Sequence, residues 1–591
     1  SQFKKESDSR YVYRKSGIRP AFDIFVDRTI ETPEKRSSII REVSDGNFEA
    51  RIDISKQVLS ISGTDRKSIL NSCLGARIER DKKEKFVCAS MLALKAKQFD
   101  DGLMATVELA LKSGRGEMKG NDWLLKTISE KLKDGPFYEK ENPAVVVYSA
   151  LKLSDSKATV PESLQKLVEE NNQKFLSDEV QSKPVSFYTW NEKLKTIFLQ
   201  NRMLQTELKG KKSINQLASL ISSDSQIEGA YLNQLSLGEM LSNPYEFGDL
   251  RDFMDEGKTN PKSKVCFYPP TKSPETTLFQ KHYGNKPIPA GFDLCRELTK
   301  EVRAGKISLL PRNDSGWYDY KLWSLEPLLV PDKTLEAKRL SYDDSYREQL
   351  EEMFKGFLAL SKETQALRMR PSTGGGAGCP AREMHIYPEI TVEPLATYYY
   401  RQAIAYNFVR KGLTKHFGLG GLKSMHRLTE NGKIKKSLYD ELNEMESIFS
   451  GAYLTVADEA GLFRHQLEKI DGKPIPDESK TVFKKWAKQV EHDPDLKKDM
   501  RMMVPVFYDV LRKKTKVWAV LGFANCSIRI GYKKQPVAQE WRDRVFKSDW
   551  LPCDKPPSGE IEILPVLVSS KKKPVFNDSP PLMIYHSQSS R

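Results

Sequence analysis

The stretch SMLALKAKQFDDGLMATVELALKSG, residues 90–114, decides the fold class. Its apolar residues return at intervals of three and four positions, which is the spacing of one face of an α-helix. The same spacing recurs in NDWLLKTISEKLK (121–133), VPESLQKLVEENNQKFL (160–176), WNEKLKTIFLQNRMLQTEL (190–208) and SYREQLEEMFKGFLALSKETQAL (345–367). We therefore predict a large helical body for the middle of the chain.

The two ends of the chain carry a different pattern. Apolar and polar residues alternate in AFDIFVDRTI (21–30) and NFEARIDISKQVLSISG (47–63), which predicts strands of a small N-terminal sheet. Near the other end, VPVFYDVLRKKTKVWAVLGFANCSIRIGYKK (504–534) predicts three strands, the first two joined by a basic turn, and GEIEILPVLVSS (559–570) predicts another. PAVVVYSALKL (143–153) fits a helix or a strand. The predicted fold class is α+β, predominantly α-helical, with small β-elements at both ends, the C-terminal one antiparallel.

Changes in composition divide the chain into five regions. Proline, asparagine and glycine crowd together after residue 242, which marks an internal boundary or a long irregular excursion. The predicted regions are an N-terminal β-rich segment (1–85), a helical region (86–241), an irregular connection (242–291), a helical body with a flexible glycine-rich loop at 370–383 (292–500), and an antiparallel β-element with a tail (501–591).

Charge and hydropathy limit the classes of function. The 591 residues include 95 basic and 80 acidic ones, a formal net charge of +15 that permits attraction to polyanions. The excess is spread in short runs such as RKKTK (512–516), without an RNA-binding aromatic string or a helix-turn-helix pattern, so nucleic acid is not the expected partner. The longest apolar run, VWAVLGFA (517–524), is far shorter than the 18 to 20 residues, roughly, of a membrane-spanning helix.

The cysteines and the first residues bear on location. Seven cysteines lie far apart, without metal-ligand spacing, which excludes a disulfide-scaffolded domain. The chain starts SQFKKESDSR without a methionine, which fits removal of a signal peptide, the interpretation we favour, or removal of the initiator methionine alone. We expect an extracytoplasmic location, periplasmic, envelope-associated or secreted, with a cytoplasmic location as the alternative.

Two motifs were tested for phosphate or metal chemistry. STGGGAGCP (372–380) has Cys379 and Pro380 where a phosphate-binding loop needs lysine and serine or threonine, so it predicts a flexible loop or a mobile lid. In EMHIYPE (383–389), Glu383 and His385 share one side of an extended segment and are weak candidates for a zinc site. A surface strand with incidental polar residues explains them better, and no cofactor is predicted.

The segment NDSGWYDYKLWSLEP (313–327) combines aromatic rings with carboxylates, as carbohydrate sites do. The same residues fit a helix capped by Asp314 or Ser315, with Trp317, Tyr320 and Trp323 on one face packed into the body. Both interpretations stay open at this stage. The candidate binding residues in this segment are Asp314, Trp317, Tyr318, Asp319, Tyr320 and Trp323.

A second aromatic group follows the sequence VEP (392–394). Tyr398, Tyr399, Tyr400 and Tyr406 cover most of the circumference of a predicted helix, so some of them should reach solvent or a partner. A helix buried between other helices would accommodate the same tyrosines. We name Tyr398, Tyr399 and Tyr400 as candidate binding residues.

The last third of the chain resembles a bacterial family of secreted proteins of unknown function. The resemblance lies in ITVEPLATYYYRQAIAYNFV (390–409), GKPIPDESKTVFKKWAKQV (472–490) and the strand pair around MMVPVFYDVLRKKTKVWAVLGF (502–523). The family continues VEP with an asparagine–proline–glutamate sequence, where this chain has LATYYY. The resemblance implies an exported bacterial protein, and it assigns no catalytic residue.

Three hypotheses of function follow. The first is a non-enzymatic binding or scaffold protein at the bacterial cell envelope, with a protein or glycan partner. The second is a glycan-active hydrolase or carbohydrate-binding protein that uses the aromatic and acidic segment 314–326, and the third is a polyanion-binding protein. The candidate acids of the second hypothesis are Asp314, Asp319, Glu326, Glu383 and Glu389, and its sugar platforms are Trp317 and Trp323.

Overall fold

The computed structural model describes a helical body and the backbone of strands near both ends of the chain. The body covers 87–133, 143–254, 264–281, 294–338, 347–365, 392–462, 467–489 and 493–495, with short gaps inside these ranges. The fold class is α+β and predominantly α-helical, as the apolar spacing predicts. The glycine-rich loop (370–383) and the segment 383–389 lie outside the described residues.

The helices of the body follow one another along the chain. The first part contains α1 (Ala89–Ser113), α2 (Asn121–Leu132), α3 (Pro143–Ser154), α4 (Glu162–Ser177), the short α5 (Glu179–Ser182), α6 (Glu192–Leu204), α7 (Lys211–Ser222) and α8 (Ser225–Leu241). The second part contains α9 (Leu294–Arg303), α10 (Trp317–Leu329), α11 (Ala396–Ser424), α12 (Leu438–Glu459) and α13 (Glu478–Lys488). The described residues between 347 and 364 are also helical.

Short polar side chains start several of these helices. The side chain of Asn191 accepts a hydrogen bond from the Leu194 amide at the start of α6, and Asp224 does the same for two amides of α8. Ser437 caps α12 through the Asp440 amide. Each cap supplies an acceptor to a backbone N–H that has no partner inside its own helix. The ambiguous segment 143–153 forms the helix α3, most of whose residues are buried.

The strands are short, and those from the two ends of the chain pair with each other. They are β1 (Phe22–Val26), β2 (Ile39–Glu42), β3 (Glu49–Asp53), β4 (Val58–Ser62), β5 (Ala76–Arg77), β6 (Lys85–Phe86), β7 (Glu207–Leu208), β8 (Val265–Cys266), β9 (Leu340–Tyr342), β10 (His426–Thr429), β11 (Gly432–Ser437), β12 (Lys469–Ile470), β13 (Lys473–Pro474), β14 (Met502–Asp509), β15 (Lys514–Leu521), β16 (Ser527–Ile528), β17 (Ile530–Tyr532), β18 (Phe546–Lys547) and β19 (Gly559–Glu562). One sheet has the order β1-β15-β14 and another β19-β4-β3-β2, both antiparallel.

The helical body has two hydrophobic cores. The larger core gathers side chains of α1, α10, α11 and α12, and the smaller one those of α2, α3, α4 and α7. Two helices contribute to both cores: α6 through Ile197 and Leu204, and α8 through Leu237 and Leu235. The cores therefore meet along α6 and α8.

Helix α1 runs through the body and is buried along nearly its whole length. Its spacing predicts one apolar face, yet five of its six charged residues are buried as well. None of these five is more than 5% exposed, and the sixth, Lys112 near the end of the helix, is half-buried: the five are Lys95, Lys97, Asp100, Asp101 and Glu108. Since a buried charge is tolerated only with a partner, the position of α1 depends on what these side chains contact.

The start of α10 corrects the predicted cap. Gly316, rather than Asp314 or Ser315, is the N-cap residue, and its amide donates to Asn243 Oδ1 at 3.1 Å. A Cβ atom at Gly316 would lie 2.1 Å from the carbonyl oxygen of Ser242. Glycine is needed because the start of α10 presses against the end of α8, and a capping side chain has no room there.

Gly451 offers a test of close packing between α12 and α13. A Cβ atom at this position would lie 2.1 Å from the Ser479 carbonyl oxygen and 2.5 Å from Phe483 Cβ. We expect Gly451→Ala to lower the free energy of unfolding by about 1–3 kcal/mol, because α13 must move away. The matched control is Gly229→Ala on α8, where nothing lies within 4 Å; it should stabilise by up to about 1 kcal/mol. Urea denaturation measures both, and equal effects would contradict the packing argument.

Candidate functional site

The aromatic and acidic segment is divided between core and surface. Trp317 and Tyr318 are buried in the larger core. Asp314 is exposed and forms an ion pair with Arg312 at 3.3 Å. The carboxylate of Asp319 accepts hydrogen bonds from Asn243 Nδ2 at 2.7 Å and Ser315 Oγ at 2.6 Å. Trp317 and Tyr318 thus pack inside the body and offer no surface to a sugar ring.

Tyr320 and Trp323 are the half-buried rings of this segment. Tyr320 stacks on Phe408 with ring centroids 4.3 Å apart, and the guanidinium of Arg401 lies 4.3 Å from the Trp323 ring. Arg401 also pairs with Glu326 at 2.6 Å. Both carboxylates of the helix, Asp319 and Glu326, are thus engaged by protein donors.

The tyrosines after VEP lie mostly in the core. Tyr398, Tyr399 and Tyr406 are buried, which agrees with a helix packed between others and not with a tyrosine surface. Tyr399 donates its hydroxyl hydrogen to the Glu393 carbonyl at 3.0 Å. Tyr400 is half-buried and donates to the Lys469 carbonyl at 2.8 Å. Among these four tyrosines, Tyr400 is the one that reaches the surface.

The weak metal candidates Glu383 and His385, with Glu389, lie outside the described residues. Within the part of the chain that the structure describes, no group of three His, Cys, Asp or Glu side chains is arranged to hold a metal ion.

A buried ion pair joins α1, α10 and α11 at the centre of the larger core. Lys321 Nζ lies 2.8 Å from Asp100 Oδ2, 2.9 Å from Gln402 Oε1 and 3.3 Å from the Tyr406 hydroxyl oxygen. Tyr406 in turn donates to Asp100 Oδ1 at 2.8 Å. Burial raises the pKa of Asp100 and lowers the pKa of Lys321, and in each case it outweighs the opposite charge of the partner.

The ion pair borders a cavity of about 20 Å³, which has room for a single water molecule. The other residues with polar groups that line the cavity are Lys97, Ser361, Thr364, Tyr398 and Gln402. Because all three N–H donors of Lys321 already have acceptors, the pair presents no free donor to a ligand. We therefore conclude that the Lys321–Asp100 ion pair stabilises the fold and does not bind a ligand.

A second buried cluster connects α1 to the residues after α13. Lys95 Nζ lies 2.6 Å from Asp495 Oδ2 and 2.9 Å from Asp493 Oδ2. Arg427 donates to Glu441 Oε1 from Nε and Nη2, at 3.0 and 2.9 Å. Its Nη1 lies 2.8 Å from Asp495 Oδ1, which is an ion pair by distance although its angle is poor for a hydrogen bond. Two cations thus share the Asp495 carboxylate.

The charges of this cluster move the pKa values of its members in opposite directions. Burial favours the neutral form of Asp495, but Lys95 and Arg427 outweigh burial and hold the pKa of Asp495 below its ordinary value. Burial likewise acts against the charged form of Lys95, but Asp495 and Asp493 together raise the pKa of Lys95.

A polar cleft lies where the two cores meet, and it is the candidate functional site. Its volume is about 50 Å³, compared with about 20 Å³ for the cavity beside Lys321, and it is open to solvent on one side. Helices α1, α2, α6 and α8 form its walls together with the chain after α8. Its lining residues are Glu108, Leu111, Lys112, Asn121, Ile197, Gln200, Asn201, Gln205, Gln234, Tyr245, Tyr268, Pro269 and Thr271.

A chain of hydrogen bonds fixes the side chains of one wall. The Tyr268 hydroxyl donates to Asn121 Oδ1 at 3.0 Å, and Asn121 Nδ2 donates to Gln200 Oε1 at 3.2 Å. Gln200 Nε2 reaches the Ala150 carbonyl at 3.4 Å. Burial raises the pKa of Tyr268 well above its ordinary value, so its hydroxyl stays a donor at neutral pH.

Two amide oxygens of the cleft accept no hydrogen bond from the described residues. Asn201 makes one side-chain bond, from Nδ2 to Glu108 Oε2 at 3.3 Å, which leaves Oδ1 without a donor. Gln234 Nε2 donates to the carbonyls of Leu111 and Lys119 at 3.1 and 3.4 Å, which leaves its Oε1 without a donor. The cleft thus combines fixed polar groups with acceptors that a bound molecule can use.

No sequence pattern described above indicates this cleft. Its polar residues come from four helices and carry no local motif. One signal was present: Gln200 lies on the same helical stripe as the buried Ile197 and Leu204, where an apolar residue is expected.

No protein-family model matches the chain, and no curated protein or solved structure is similar to it. The resemblance to the secreted bacterial family, and the extracytoplasmic location that it implies, therefore stay predictions. Among the described helices, none is long and apolar enough to cross a membrane.

The second buried cluster predicts a large cost for one substitution. Asp495→Asn removes the carboxylate shared by Lys95 and Arg427, although each cation keeps another carboxylate. We expect the free energy of unfolding to fall by about 3 kcal/mol, the lower end for breaking a buried ion pair. The control is Glu444→Gln, whose pair with Lys436 is more than 40% exposed on both sides and should be worth less than about 1 kcal/mol. Similar urea denaturation midpoints for both variants would contradict the assignment.

The same cluster predicts a dependence of stability on acid. Because the folded pKa of Asp495 is lowered, its ion pairs stabilise the fold above the ordinary aspartate pKa of about 3.9, and this stabilisation is lost as the pH falls through the lowered value. Lys95 has a raised pKa, so its contribution is complete below about pH 10.4 and is lost only as the pH rises further. Between about pH 5 and pH 2, Tm should therefore fall less steeply in Asp495→Asn than in the unsubstituted protein. Parallel Tm curves would show that another group controls the acid response.

Proposed function

We propose that this chain is a non-enzymatic binding protein and that the polar cleft between its two cores holds a small molecule. The observation that carries the proposal is the pair of amide oxygens, on Asn201 and Gln234, that accept no hydrogen bond from the described residues. Neither oxygen is fully buried, so both can be reached from the cleft. A ligand that donates to both oxygens would give each of them a partner.

The position of the cleft supports the same proposal. Small-molecule sites occur where structural units meet, because side chains from several elements converge there around a concavity. Here the two cores meet along α6 and α8, and both helices line the cleft.

The chemistry of the lining favours binding over catalysis. Hydrolysis of a glycosidic bond normally requires two carboxyl groups, one on each side of the bond. Glu108 is the single carboxylate among the described residues that line the cleft, and these residues include neither histidine nor cysteine. The hydroxyl of Thr271 lies 2.7 Å from that of Ser242, with which it shares a hydrogen bond.

Asn201→Ala tests the proposal on the purified protein. A thermal-shift panel of sugars, amino acids, nucleosides and polyamines identifies a ligand, since binding at about 100 times Kd adds about 2.7 kcal/mol of stability. Asn201→Ala should then weaken that ligand about tenfold by calorimetry, as expected for one or two lost hydrogen bonds.

The matched control is Asn443→Ala. Asn443 is also a half-buried helical asparagine with one side-chain hydrogen bond, to the Tyr439 carbonyl at 2.9 Å, but it lies on α12 outside the cleft. This variant should bind the ligand as the unsubstituted protein does. A panel in which no compound shifts Tm, or a ligand that binds equally to both variants, would overturn the proposed site.

A further inference from the structure

We infer that the ligand of the cleft is a neutral, hydroxyl-rich molecule of the sugar class. The inference rests on the proposed function, since it concerns the same cleft. Three features of the lining carry it: the hydrogen-bonding groups that face a ligand, the balance of charge, and the carbon surface beside the polar groups.

The hydrogen-bonding groups call for a ligand with several donors. The side-chain oxygens of Asn201 and Gln234 accept no hydrogen bond from the described residues, so a ligand can donate to each of them. One N–H of Asn201 donates to Glu108, and the other has no acceptor among the described residues. A hydroxyl group both donates and accepts, so adjacent hydroxyls can satisfy a free amide oxygen and a free amide N–H together.

The charge balance of the cleft calls for a neutral ligand. Its two charged lining residues are Glu108 and Lys112, one of each sign. Lys112 is held by an ion pair with Asp122 at 2.7 Å. An anionic ligand would meet the buried Glu108 carboxylate, and a cationic ligand would meet the Lys112 ammonium, so either one would face a like charge.

The carbon surface separates a sugar from a purely polar molecule. Leu111, Ile197, Tyr245, Tyr268 and Pro269 line the cleft beside the polar groups. Sugar rings present C–H groups next to their hydroxyls, and aromatic and aliphatic side chains cover those C–H groups. A sugar therefore offers hydroxyl groups to the polar side chains of the cleft and C–H groups to its apolar side chains.

Calorimetry with matched sugars tests the inference on the full chain. The panel compares neutral mono- and disaccharides with the corresponding uronic acids and amino sugars, and with amino acids and nucleosides. We expect a neutral sugar to bind at least tenfold more tightly than its uronic acid and its amino sugar. Glu108→Gln keeps the shape of the side chain and removes its charge, so it should reduce or abolish the discrimination against the uronic acid.

The possible results separate this inference from the proposed function. Binding of an amino acid or nucleoside, sensitive to Asn201→Ala, together with no binding of any sugar would overturn the sugar class and leave the binding cleft in place. If no compound in the panel binds, both the sugar inference and the proposed binding function are overturned. Sugar binding that neither Asn201→Ala nor Glu108→Gln changes would place the sugar elsewhere on the protein and also overturn the inference. If Glu108→Gln does not fold, two measurements still test the inference. They are sugar binding by Asn201→Ala, and the comparison of neutral sugar, uronic acid and amino sugar on the unsubstituted protein.

Discussion

The burial of charge on α1 is the constraint on which the larger core depends. Four charged side chains lie within two turns, from Lys95 to Asp101, and none of them reaches bulk solvent. Moving one ion into a protein interior costs several kcal/mol unless a partner compensates. The partners come from α10, from the helical stretch around Thr364 and from residues 493–495, so segments far apart in sequence must converge on this helix.

The same helix supplies a different kind of carboxylate to the cleft. Asp100 and Asp101 form ion pairs with lysines and accept hydrogen bonds from hydroxyl groups, and these contacts stabilise the packing of the larger core. Glu108 lies about two turns further along α1, at the junction of the two cores, where Asn201 donates to it at 3.3 Å. The central helix thus ties the larger core together at one end and contributes to a concave polar surface toward the other. Rigid support of this kind keeps a binding site in a single geometry.

Local sequence pattern predicted several helices and strands of this fold, but it did not predict how deeply their side chains are buried. The three- and four-residue spacing predicted α1, α2, α4 and α6, and strand patterns predicted β1, β3, β4 and the β14–β15 hairpin. Burial of Tyr398 and Tyr399 could not be predicted, because it depends on segments far away in sequence. Tyr398 packs against Phe357 and Phe449, and Tyr399 lies in the same core. The pairing of the two β-rich ends is likewise a long-range result, which strand periodicity does not encode.

Polar residues inside apolar stripes were the overlooked sequence signal for both the ion pair and the cleft. Lys321 lies one turn from Trp317 and one turn from Leu325, both buried, so its ammonium had to enter the core and meet a carboxylate there. Gln200 likewise lies one turn from the buried Ile197 and one turn from the buried Leu204. Its side-chain amide therefore needs hydrogen-bond partners inside the protein, and it finds them in Asn121 and the Ala150 carbonyl. The two differ in outcome. Lys321 uses every donor inside the core, whereas Gln200 lines a cleft in which the side-chain oxygens of Asn201 and Gln234 accept no hydrogen bond from the described residues. Those two oxygens are the groups to which the proposed ligand would donate.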